Sequence, residues 1–177
     1  MNKRPRSKPI KVYSNKQRNI ILTAALLSYY EQLITFEQVQ ANDEQNVYNV
    51  EHPLWVFVGT RVTGKGNQSD ISEVIVFLRD ALKNQTALQQ DIDAILDLEV
   101  DMTKNGINVF QNRFQYLRQS GNRPTAIDVL KKVCHGIGSL QASMIKRADG
   151  EIGLRTTDSD KYLSLIHISE PTRHRRI

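Results

Sequence analysis

Seven residues of this chain have the types and spacing of a phosphate-binding loop. Gly59-Thr60-Arg61-Val62-Thr63-Gly64-Lys65 follows the apolar run Leu54–Val58. A glycine-rich loop ending in Gly-Lys, placed straight after a strand, gathers backbone N–H groups and an ammonium around phosphate oxygens. The match stops one residue later. Position 66 is Gly where the pattern needs a Ser or Thr hydroxyl for Mg²⁺, and Asn67, Gln68 and Ser69 hold Lys65 away from the next helical pattern. "VIVFLRD" (74–80) imitates the later strand that ends in a metal-binding acid, but its apolar spacing is that of a helix. By residue chemistry alone, the loop is not a complete ATP cradle.

Two other groupings could do chemistry. Asp91, Asp93, Asp97, Glu99 and Asp101 cluster, and Asp93 and Asp97 stand four apart. That spacing puts two carboxylates on one helix face, as a metal pair needs. No His stands at a matching spacing, so the expectation is a solvated acidic face and no metal site. Cys134 and His135 are adjacent, and neighbours on a helix point apart, so they do not form a nucleophile and base. The expected account is a buried thiol and a helix-terminal imidazole, which favours the helix C-terminus when charged. Cys134 is the only cysteine, which excludes an internal disulfide and a multi-cysteine zinc site. A reducing, cytoplasmic setting is expected.

The elements that would position these residues follow from periodicity. Ile20, Ala24, Leu27, Tyr30 and Ile34 predict a helix over 18–40, capped by Ser14 or Asn15. Residues 41–53 are polar, end in Pro53 and read as a loop. Leu54–Val58 reads as a strand buried on both faces, as in a parallel α/β sheet. Residues 70–83 give the clearest helix, with Asp70 and Glu73 as a capping box and Ile71, Val74, Ile75, Leu78 and Leu82 as its stripe. A further helix is expected over 86–98, with Leu88, Ile92 and Ile95 inward. Asn105-Gly106 marks a turn in an otherwise ambiguous stretch, and 113–119 reads as a helix stopping at Gly121. Pro124 opens a helix that runs to about His135. Strands are expected at 139–147 and 152–156, joined by a turn at Asp149-Gly150. The fold class is α/β, part of a sheet whose other strands lie elsewhere.

Charge does not spread evenly. The chain of 177 residues carries +5, yet residues 1–11 alone carry +5 and residues 163–177 carry +2. Residues 12–162 hold 16 basic and 18 acidic side chains, so the body has no electrostatic footprint for DNA. The basic arm reads as a solvated end. No apolar stretch reaches the roughly 18–20 residues a membrane helix needs.

Five stretches in order, "AALLSYYEQL" (24–33), "HPLWVFVGTRVTG" (52–64), "SDISEVIVFLRDAL" (69–82), "FQYLRQSG" (114–121) and "IKRADGEIGLR" (145–155), resemble one family. It is the DEAD/DEAH-box helicase family, and within it the type III restriction endonuclease helicase subunits. The resemblance covers about residues 14–162. It implies a basic arm (1–17), a linker helix and loop (18–52), and a partial second RecA-like motor domain with a helical insertion and a β-hairpin (53–162). It also implies an ATP-dependent DNA helicase or translocase of a restriction or defence system, with a modification or nuclease subunit as partner. Gly59, Thr60, Arg61 and Lys65 then lie on a loop at the DNA backbone. ATP and Mg²⁺ belong to the parent motor. The chain departs from the family in lacking a true phosphate loop, an acidic metal box and arginine fingers, so the piece alone is expected to be inactive. From Leu163 on, "LSLIHISEPTRHRRI" resembles translated sequencing-adapter read-through, and residues 163–177 are expected to be non-native. Two alternatives stay open: a small α/β nucleic-acid-binding module using the basic arm, and a free-standing nucleotide-binding protein using Lys65.

Overall fold

A computed structural model describes residues 15–41, 53–55, 70–144 and 152–165. Its spine is α1 (Asn15–Ala41), 27 residues and hence about 40 Å long. The expected helix is present and longer at both ends. Ile20, Ala24, Leu27 and Tyr30 are buried as its periodicity predicts, and so are Thr23, Leu26 and Leu33. Burial on more than one side marks a helix packed between neighbours.

Those neighbours are α2 (Asp70–Lys83), α3 (Gln85–Leu96) and α4 (Ala126–Cys134), all in contact with α1. On α2, Val74, Leu78 and Leu82 enter the core together with Phe77 and Ala81. Asp70 is the first residue of the helix, its expected capping box lies outside the described side chains, and Glu73 pairs with Arg18 of α1 at 3.1 Å. Asn84 separates α2 from α3 and caps the latter, its side chain accepting the Ala87 N–H at 3.1 Å. Leu88, Ile92, Ile95 and Leu96 are its buried stripe. Thr125 caps α4 in a reciprocal capping box with Asp128, which leaves Pro124 outside the helix it was expected to open.

Two corrections concern backbone. Pro53, Leu54 and Trp55 are not in a strand, and Leu54 is 81% exposed. The Pro53 carbonyl accepts the Tyr29 hydroxyl at 3.3 Å, and proline has no N–H to give a ladder. The doubly buried strand thus fails over Leu54–Trp55, while Val56–Val58, the polar loop 42–52 and the turn Asp149-Gly150 lie outside the described residues. Residues 113–119 form successive turns in place of a helix. Phe114 sits at φ +59 with its ring buried, a conformation that stops helical propagation.

Every strand pairing among the described residues is antiparallel. β1 (Thr103–Lys104) and β2 (Ile107–Asn108) close over Asn105-Gly106, both at positive φ, as a tight hairpin turn requires. β3 (Leu140–Met144), β4 (Ile152–Thr156) and β5 (Leu163–Leu165) form one sheet with β4 central. Leu140 faces Thr156, Met144 faces Ile152, and Ile152 faces Leu165. This mixture of helices and small antiparallel sheets is compatible with the α/β class the sequence implies, with β5 drawn from residues set outside the fold above.

The α4–β3 junction is locked by one carboxylate. Asp158 accepts the backbone N–H groups of Ile137 at 2.9 Å and Gly138 at 2.8 Å, and these bonds hold its pKa down to about 2. A Cβ at Gly136 would collide with the Thr156 hydroxyl and the Asp158 carboxylate, so the glycine permits the approach. Because the folded pKa lies below the ordinary 3.8, the linked stability is complete above pH ~4 and is lost as pH falls toward 2. An acid titration of the urea midpoint should show this loss, and Asp158→Asn should remove it while lowering stability at pH 7.

A second lock ends α3. Arg118 donates to the carbonyls of Leu96 at 2.7 Å and Phe110 at 2.8 Å, with longer bonds to Gln111 at 3.1 Å and Ile95 at 3.4 Å. Arg118→Ala should lower stability by about 2–3 kcal/mol in urea denaturation. Arg118→Lys should recover little, because an ammonium cannot span both carbonyl sets.

Candidate functional site

The residues nominated from sequence fall in two groups. Gly59, Thr60, Arg61 and Lys65 lie outside the described residues, as do residues 1–14 of the basic arm, whereas 15–17 open α1. Asp93 and Asp97 are described and do share a face of α3, but Arg123 occupies both. Its Nη2 lies 2.8 Å from Asp93 and 2.7 Å from Asp97, and its Nη1 lies 2.8 Å from Asp97. The Arg123 hydrogen bond lowers the pKa of Asp97. The acidic face is exposed as expected, and on it Asp93 and Asp97 form a carboxylate–guanidinium clamp between α3 and the segment before α4. Among the described residues, no group of three or more His, Cys, Asp or Glu is placed to hold a metal ion.

Cys134 and His135 divide as their positions on α4 predict. Cys134 is buried, and desolvation pushes its thiol up to about 12. His135 is the C-cap in the left-handed conformation at φ +61. Desolvation and the charge on Lys161 lower its pKa, so the neutral imidazole is favoured over the charged form expected at a helix end.

One groove is built from three separate segments. Ala25, Ser28, Tyr29 and Gln32 lie at helical spacing on one face of α1. Trp55 stacks on Tyr29 with ring centroids 5.5 Å apart and planes at 20°. The opposite wall comes from the segment after β2, with Val109, Phe110 and Arg113. The open volume between them is about 530 Å³.

Local hydrogen bonds place that wall. The Asn108 amide donates to the carbonyls of Leu98 at 3.2 Å and Val100 at 2.9 Å, and its oxygen accepts the Phe110 N–H at 2.9 Å. Arg118 holds the Phe110 and Gln111 carbonyls from behind. Phe110 is buried, whereas Arg113 is exposed and its guanidinium meets no carboxylate among the described residues. Burial raises the Tyr29 pKa, so the ring under Trp55 stays a neutral phenol.

A second groove of about 540 Å³ lies between α1, α2 and α3, and its character is opposite. Glu73, Asp80 and Asp91 border it, with Arg18 as the counter-charge. Burial raises the pKa of Asp91 against the opposing effect of Lys16. The Thr23 hydroxyl beneath it is fully buried and has no hydrogen-bond partner among the described residues.

Sequence reading missed the first groove. The sequence pattern puts Trp55 inside a strand and does not single out Tyr29, Phe110 or Arg113. The available signal was a lone tryptophan between a proline and a glycine-rich basic loop. Comparison with known proteins finds no matching family model, no matching curated protein and no matching solved structure.

The thiol result is directly checkable. Cys134 should resist iodoacetamide at pH 8 in the folded chain and react fully in urea, because the nucleophile is the thiolate and burial suppresses it. Rapid native labelling, read by mass spectrometry, would contradict this.

Proposed function

We propose that this chain is a DNA-contacting piece of an ATP-dependent helicase or translocase of the DEAD/DEAH-box kind, acting in a restriction or defence system of the cytoplasm. The piece corresponds to the linker helix and part of the second RecA-like motor domain. The observation that carries this reading is the seat of Trp55. Its ring is stacked on α1 beside Arg113, and the sequence reaches Gly59 only four residues later.

On this reading the backbone N–H groups of Gly59 and Thr60 meet phosphate oxygens, and Arg61 and Lys65 supply charge. Gly66 then causes no conflict, since a loop that touches DNA needs no hydroxyl for Mg²⁺. ATP and Mg²⁺ are bound by other parts of the parent motor, and a modification or nuclease subunit is its partner. The second reading, a small nucleic-acid-binding module, is favoured by one feature, the +5 charge of residues 1–11.

Fluorescence anisotropy with labelled duplex and single strands, titrated with salt, separates the two. Arg61→Ala and Lys65→Ala should each weaken binding several-fold and lower the log–log salt slope by about one. Deleting 1–11 should leave most of the binding in place. The basic-arm module takes over if that deletion abolishes binding and the loop variants do not. ATP turnover by the purified chain, lost in Lys65→Ala, would overturn both in favour of a nucleotide-binding protein.

A further inference from the structure

A third cavity, of about 300 Å³, opens between α1 and the turns at 112–116. Ser28 and Glu31 line it from the helix, and Asn112, Arg113, Gln115 and Tyr116 line it from the turns. We propose that it binds a free α-amino acid, with Arg113 on the ligand's carboxylate and Glu31 on its ammonium. This goes beyond DNA contact and needs no part of the 59–65 loop.

Two opposite charges border this cavity without meeting. Glu31 is half-buried, and its carboxylate has no ion pair among the described residues. Burial raises its pKa, which marks a carboxylate whose charge is poorly compensated. The charge of Arg118 acts against that rise, but its guanidinium is committed to the carbonyls of Ile95, Leu96, Phe110 and Gln111. Arg113 lines the same cavity, is exposed, and meets no carboxylate among the described residues.

Both residues stand on fixed backbone. Glu31 lies between buried Tyr30 and Leu33 on the 27-residue α1. The Arg113 N–H donates to the Phe110 carbonyl at 3.0 Å, and Phe114 turns the chain at φ +59 with its side chain buried. The cavity is therefore held open by packing on both walls.

Charge selects the ligand. A simple anion drawn to Arg113 meets the Glu31 carboxylate, and a simple cation drawn to Glu31 meets the Arg113 guanidinium. A DNA strand brings negative charge alone. A molecule with a carboxylate and an ammonium on one carbon satisfies both side chains at once, through charge-assisted hydrogen bonds. The planar fork of arginine suits the carboxylate. The volume stands at the lower end of the roughly 300–1,000 Å³ of small-ligand clefts, which fits a single small amino acid. The Ser28 hydroxyl and the Asn112 and Gln115 amides add donors and acceptors around it.

The isotope-labelled full chain is titrated by NMR with L-alanine, alaninamide and propionate. The amide keeps the ammonium and loses the carboxylate, whereas propionate keeps the carboxylate and loses the ammonium. L-Alanine should shift the backbone signals of Ser28, Glu31 and Gln115. It should bind about ten-fold tighter than either analogue, the equivalent of one charge-assisted contact. Arg113→Gln should abolish the preference over alaninamide, and Glu31→Gln the preference over propionate. Neither residue holds an ion pair among the described residues, so both variants should keep the parent's urea midpoint. Arg113→Lys keeps the charge without the fork and should recover part of the affinity.

Equal affinity for the three compounds, no shift with any of them, or shifts confined to residues away from the cavity overturns the site. A double-mutant cycle in urea that couples Glu31 to Arg113 in the unliganded chain also overturns it, because the two charges would then answer each other. None of these results alters the salt-dependent DNA binding that tests Arg61 and Lys65, so the two proposals fail separately.

Discussion

The C-terminal turn of α3 is the point on which the rest of this structure depends. A helix leaves its last carbonyls without intrahelical partners, and here Ile95 and Leu96 are also buried side chains in the core. Arg118 satisfies both carbonyls with one half-buried guanidinium and turns its remaining donors to Phe110 and Gln111. Five fixed donors make arginine suited to this, because several acceptors are met without further rotamers being frozen. The bridge holds the segment between α3 and α4 against the end of the helix. Phe110, Phe114 and Leu117 can then fill the core from a stretch with almost no regular structure.

A second arginine works at the same helix end. Asp93 and Asp97 are four apart, and Asp97 is the C-cap, where the helix dipole disfavours a negative charge. Arg123 reverses that penalty by binding both carboxylates, and the nearby charge of Arg118 adds to the lowering of the Asp97 pKa. The clamp is exposed, so its contribution to stability is modest. Its consequence is geometric. It fixes where the chain re-enters α4, whose start is then set by Thr125, Asp128 and the bond from the Ala126 N–H to Gln89 of α3 at 2.6 Å. Lys132 of α4 closes the far side by pairing with Glu37 of α1.

How much of this was legible depends on the reach of the interaction that decides each element. The helix at 70–83 and the turn at Asn105-Gly106 are specified by neighbours within a few residues, and both appear where the sequence puts them. The two strands of the 140–156 hairpin likewise follow from local alternation. Leu54–Trp55 departs from the pattern because a distant group decides it, and 113–119 because one residue leaves helical geometry. A tyrosine 24 residues away takes the Pro53 carbonyl, and Phe114 leaves helical geometry to bury its ring against Phe110. The acidic pair looked free because its partner lies 26–30 residues further on. β5 shows a different principle. Leu-Ser-Leu alternates and follows the loop 157–162, and ladder bonds are made by backbone, so these three residues pair with β4.

The groove beside Trp55 was illegible for the strongest form of the same reason. Its walls come from 21–32, 54–55 and 102–113, and no local pattern joins them. Yet its chemistry accounts for a difficulty in the charge distribution. A body with 16 basic and 18 acidic residues does not attract DNA as a whole, so any contact must be made locally. On one side of α1 the acids are largely answered by arginines, Glu73 by Arg18 and Asp80 by Arg79. On the other side Arg113 lines the groove and meets no carboxylate among the described residues, so α1 separates a compensated surface from a cation those residues leave uncompensated.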